Sequence, residues 1–106
     1  MSPQELINAI ELSGGVLEAA GRVDRLRYRL PAHAATLLDE LRRMKLEVIP
    51  VLRRRSFTHL LPFLGKRVWT PAGPARLERL EDYALVEMPS GDRVRWYDAA
   101  GVIPYA

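Results

Sequence analysis

Polar and apolar positions alternate most strictly between Arg25 and Leu30. Arg25, Arg27 and Arg29 fall on one side of the alternation, Leu26, Tyr28 and Leu30 on the other. A period of two is that of a β-strand with one wet and one buried face. Gly21–Arg22–Val23–Asp24 supplies a turn back to Val16–Ala20, so residues 15–30 predict a β-hairpin. Apolar-striped segments on both sides of it are the helices that pack against its greasy face.

Upstream, Ser2–Pro3–Gln4–Glu5 reads as a helix start, with Ser2 as cap, Pro3 at the first helical position and Glu5 reaching back. Leu6, Ile7, Ala9 and Ile10 form its apolar face, and Gly14–Gly15 ends it after little more than three turns. Downstream, Pro31 restrains the chain, Thr36–Asp39 offers a second capping box, and Leu37, Leu38, Leu41, Met44, Val48, Val51 and Leu52 recur at helical spacing. Pro50 interrupts that pattern, because an interior proline removes a hydrogen bond and clashes with the carbonyl four residues back. Two short helices broken near Arg43–Lys45, or one helix kinked near residues 46–50, both satisfy it; the break is preferred. Arg53–Arg54–Arg55 complements the dipole at the last helical end.

Beyond Ser56 the grammar changes. Phe57, Leu60, Leu61 and Phe63 are too apolar for a free linker, so residues 57–62 predict a packed connector. Short strands follow at Lys66–Trp69, Ala75–Leu80, Tyr83–Met88, Arg93–Tyr97 and Val102–Tyr105, with a one-turn helix at Asp98–Ala100 capped by Asp98. Imperfect alternation around Leu77–Glu81 marks a bend in a long strand. Five short strands in so few residues predict a curled antiparallel barrel, since closure hides exposed edges. The expected class is α+β: a helix–hairpin–helix unit over 1–56, the connector, and a five-stranded barrel over 63–106.

Composition narrows the functional classes. The 106 residues carry no cysteine, which excludes disulfides and thiolate chemistry and suits a cytoplasmic protein. No run of about twenty apolar residues predicts a membrane span. The formal charge is +3, with ten basic against seven acidic residues in 1–60 and six of each in 61–106. A basic excess attracts nucleic acid, an anionic surface or an acidic partner without choosing among them. His33 and His59 are the only histidines, at no spacing that suits a metal, and Ser56, His59 and Asp39 lack a nucleophile elbow. Glu78, Glu81, Asp82 and Glu87 alternate with basic residues as on a solvated sheet face. The expectation is a protein that is not an enzyme and holds no cofactor or metal.

Two features remain as partner-binding candidates. One is the ladder Arg25, Arg27 and Arg29: an exposed edge adds a partner strand by main-chain hydrogen bonds while arginines select an acidic peptide. The other is Arg93, Arg95, Trp96 and Tyr97, where consecutive aromatics in a strand face opposite ways and leave one exposed beside a cation.

The short helix, GGVLEAAGRVDRLRYRLP and TLLDELRRMKLEVIPVLRR together resemble the N-terminal docking domain of the TubC type over residues 5–54. That resemblance implies a homodimer whose exposed hairpin, here Val16–Leu30, accepts a short acidic or polar peptide of a partner protein. The chain departs from the pattern at Ala19 and Pro50. Residues 63–105, with GKRVWTPAGPARL and RVRWYDAAGVIP, resemble an SH3-like barrel of the Tudor and KOW kind, which implies a fold rather than a ligand. The leading expectation is therefore a non-enzymatic docking or adaptor module; the alternative is a nucleic-acid-binding accessory protein of a replication or mobile-element system.

Overall fold

The computed structural model describes residues 1–19 and 25–105. It is an α+β protein, and the chain divides into two compact units, Met1–Leu52 and Arg53–Ala106. The expected turn at Gly21–Asp24 lies outside the described residues.

The first unit opens with α1, Pro3–Leu12, where the Ser2 hydroxyl accepts the Glu5 backbone N–H at 3.1 Å as the capping pattern requires. Ten residues make just under three turns, slightly less than expected. Gly14 then adopts φ +91°, a conformation that side chains resist, and releases the chain from the helix. Gly15 serves a different need. A Cβ there would lie 2.6 Å from Ile10 Cγ2 and 3.1 Å from the Arg29 carbonyl oxygen, so its missing side chain lets the hairpin approach the helix end.

Strands β1, Val16–Ala19, and β2, Leu26–Arg29, pair antiparallel with Val16 opposite Arg29 and Ala19 opposite Leu26. Directly opposed residues share a face. Leu17, Ala19, Leu26 and Leu30 accordingly pack on a core of Leu6, Ile7, Ile10, Leu41, Val48 and Leu52. Each fully buried side chain of this kind contributes about 1.5–3 kcal/mol relative to exposure. A 3-10 turn at Ala32–Ala34 follows, and exposed His33 donates Nε2–H to the Ser13 carbonyl at 3.1 Å, tying the hairpin exit to the end of α1.

The expected helix break near Arg43–Lys45 is absent. Helix α2 runs without interruption over Thr36–Ser56 with Pro50 inside it, and Thr36 is its first helical residue rather than a flanking cap. The apolar stripe on both sides of Pro50, Leu41 and Val48 before it and Leu52 after it, is buried in one cluster, and that packing outweighs the local cost of the proline. The lost bond also falls at Leu46, whose side chain is 77% exposed, where water can serve the carbonyl.

In the second unit a 3-10 helix over Thr58–Phe63 follows α2. Phe57 and Leu60 are buried in this unit's core with Val68, Ala75, Leu77, Ala84, Val86 and Val102, as the packed connector requires, whereas Leu61 and His59 of the same segment are exposed. Strands β3 (Arg67–Thr70), β4 (Gly73–Leu80), β5 (Ala84–Glu87), β6 (Arg93–Trp96) and β7 (Ile103–Pro104) form one antiparallel sheet in the order β6-β5-β4-β3-β7. The pairings end at β6 on one side and β7 on the other.

Local chemistry explains the corners. Buried Thr70 donates its hydroxyl to the Gly73 carbonyl at 2.8 Å and accepts the Ala72 N–H, closing the β3–β4 turn around Pro71–Ala72. Asp98 accepts the Ala100 N–H at 3.0 Å as the cap of the 3-10 turn Ala99–Gly101. The expected irregularity of the long strand is real: the β4–β5 register shifts between Leu77 and Arg79, leaving Glu78 as a bulge.

Candidate functional site

The hairpin's wet face is set by its register. Val16, Glu18, Arg27 and Arg29 alternate with the core-facing residues, and all four are exposed, as is Arg25 just before β2. Among the described residues, Arg25, Arg27 and Arg29 make no ion pair, although Glu18 stands opposite Arg27. Tyr28 departs from strict alternation: opposite buried Leu17, it is 46% exposed. With Val16, Glu18, Arg27 and Arg29 it lines a shallow cleft of about 280 Å³. Only β1 and β2 form this sheet, so each strand keeps an outer edge without a strand partner among the described residues.

The other four partner-binding candidates are engaged within the second unit. Arg93 Nε donates to Glu78 at 3.1 Å, and the Arg95 guanidinium lies over the Tyr83 ring at 4.7 Å. Trp96 sits opposite Ala84, whose small side chain leaves room for the indole against the core; the indole N–H is buried without a hydrogen-bond partner among the described residues. Tyr97 lies past the end of β6, so alternation no longer directs it outward. It is half-buried, edge-on to Tyr83 at 5.7 Å, with the Arg53 guanidinium over it at 5.3 Å. Neither member of the Trp96–Tyr97 pair is therefore the exposed aromatic expected there. Arg53, expected at the positive end of the last helix, does lie in the last turn of α2, and it is only 2% exposed.

Carboxylates on this sheet are paired with arginine. Arg76 Nη2 bridges Glu87 at 3.0 Å and Glu78 at 3.3 Å, making an Arg–Glu ladder across β4, β5 and β6. Hydrogen bonding with Glu78, and then the Arg76 charge, hold the Glu87 carboxyl below its usual range. Glu81 is held low first by the Tyr83 hydroxyl, against some desolvation, and further by Arg79, Arg54 and Arg95. Among the described residues no three His, Cys, Asp or Glu side chains converge as metal ligands. No helix among them is long and apolar enough to cross a membrane.

A further aromatic surface lies outside the expected partner-binding residues. Trp69 is 46% exposed and stacks on Tyr105 with centroids 4.9 Å apart and planes 10° from parallel. Exposed Ile103 and Pro74 flank Trp69 in register, and the Arg67 guanidinium lies 5.9 Å from the Tyr105 centroid. Beside the stack, Arg67, Pro74, Arg76, Glu87, Met88 and Tyr105 border an open cavity of about 430 Å³. The signal was Arg67–Val68–Trp69–Thr70, whose period of two puts Trp69 and Arg67 on one face.

The unit boundary at Leu52 redistributes the charge. Met1–Leu52 holds seven basic and seven acidic residues, whereas Arg53–Ala106 holds nine basic and six acidic, so the whole excess belongs to the second unit.

Comparison with known families finds no family model that matches the chain, and comparisons with curated proteins and with solved structures likewise find no match.

Proposed function

We propose that the protein is a non-enzymatic docking module whose basic hairpin recognises an acidic peptide of a partner protein. The observation that carries this reading is the set of Arg25, Arg27 and Arg29, exposed and without an ion pair among the described residues, on a ribbon with open strand edges. An added strand gains main-chain hydrogen bonds along β2, and guanidinium groups on alternate residues meet carboxylates at the same spacing. The cleft beside Tyr28 takes an apolar side chain of the incoming segment. The TubC-type resemblance is part of this reading and extends it to a homodimer. The five-stranded unit is proposed as an SH3-like barrel, supported by its strand order and by the short 3-10 turn before β7.

The test is capture from cell lysate by the full chain against an Arg25→Glu/Arg27→Glu/Arg29→Glu variant, with mass in solution measured for both. Identified partners retained by the parent chain through an acidic segment and lost by the variant support the reading. Equal capture by both chains overturns it.

A further inference from the structure

The second unit carries an aromatic stack at its surface that its core does not include. Trp69 stacks one face on half-buried Tyr105, lies between Ile103 and Pro74, and keeps part of its indole exposed as a planar apolar contact. Cations frame it. Lys66 and Arg67 make no ion pair among the described residues, while Arg76 is shared between Glu78 and Glu87. Glu87 is the one acidic group bordering the cavity, and Arg76 offsets its charge.

Three occupants fail on this chemistry. A methylated ammonium needs rings that enclose it, but these rings stack on each other and a guanidinium already lies at Tyr105. A basic proline-rich segment meets Arg67 and Arg76 with like charge. A purely acidic peptide satisfies the arginines but leaves the exposed indole in water. Flat groups repeated along an anionic backbone satisfy both features at once.

We propose that the outer face of β3, β4 and β7, centred on Trp69, binds single-stranded nucleic acid, with a base on the exposed part of the Trp69 indole and a phosphate on Arg67. The inference is independent of the hairpin reading, because the hairpin belongs to the charge-neutral unit.

The test is fluorescence anisotropy with the full chain and a labelled oligothymidylate of about 15 nucleotides, the upper range for one small single-strand-binding fold. Trp69→Ala is expected to weaken binding about tenfold or more, since stacking on an aromatic is a large share of such affinity. Arg67→Glu weakens it comparably, and raising salt from about 50 to 200 mM costs on the order of tenfold for a few phosphate contacts. The triple hairpin variant binds like the parent. Absence of binding at low salt overturns the proposal, as does binding that survives both Trp69→Ala and Arg67→Glu. Displacement of the strand by an acidic peptide without aromatic groups, or by equimolar thymidine monophosphate, overturns the strand as the occupant. Sedimentation of the free chain completes the test: a dimer that Trp69→Ala dissociates assigns the face to a second copy instead.

Discussion

The hairpin and the five-stranded sheet both place arginines at alternate outward positions, yet they use them differently. In the hairpin, Arg27 and Arg29 stand on a two-stranded ribbon with one cross-strand neighbour each, Glu18 and Val16, and neither makes an ion pair among the described residues. In the sheet, Arg76 lies on a central strand beside Arg67 and Glu87, and Glu78 at the bulge reaches both Arg76 and Arg93. A bulge re-aims a side chain that regular pleating would send elsewhere. The same alternation thus yields guanidinium groups without an ion pair among the described residues in one unit and an Arg–Glu ladder in the other. Counting arginines does not distinguish the two; the position of carboxylates does.

The comparison is broken most severely through the cores. Both tryptophans belong to Arg53–Ala106, so their fluorescence reports on that unit. Leu77→Ala, at a fully buried position, is expected to destabilise by about 2–5 kcal/mol and to shift the fluorescence-detected denaturation midpoint. Units of about 50 residues are marginal, so a loss of that size unfolds much of the population. In the first unit the matching lesion is Gly15→Ala. Its Cβ collides with Ile10 Cγ2 and crowds the Ile10 and Arg29 carbonyls, and a cost of about 1–3 kcal/mol is expected in chemical denaturation followed by far-UV circular dichroism. Gly14→Ala would strain the backbone instead, because its φ is +91° although its Cβ meets only open space.

These positions also show how far the sequence carries. The strands were legible because Arg25–Leu30 and Arg67–Thr70 alternate and their turns hold Gly, Pro or Asp; the first cap was legible in Ser2–Glu5. Helix α2 was misjudged at Pro50, where burial of a stripe running past the proline overrides local preference. The burial of Arg53 was not legible, because nothing local announces that Tyr97, over forty residues later, supplies its ring. The Trp69–Tyr105 stack has the same cause: it joins β3 to the segment after β7, a pairing that a linear pattern does not encode.

Acid sharpens the contrast at a smaller scale. Glu81 and Glu87 titrate below the unfolded value near 4.5, so the folded state favours their charged forms. Their contribution is complete above that value and is lost as pH falls through the lower folded values. The fluorescence-detected midpoint is therefore expected to hold steady above pH 4.5 and to fall below it. In Glu87→Gln and Glu81→Gln, that acid sensitivity is reduced.

The smallest effect tests the comparison itself. Glu78→Gln removes an acceptor that is only 16% exposed and serves two arginines, so a loss of about 0.5–1 kcal/mol is expected for these largely solvated pairs. Arg27→Ser removes a guanidinium with no ion pair among the described residues, and stability is expected to change by no more than about 0.5 kcal/mol. If Arg27→Ser costs as much as Glu78→Gln in parallel denaturation curves, the hairpin guanidinium is serving the fold. A near-zero change leaves it available to a partner, and only then does loss of capture in the triple variant measure recognition rather than damage.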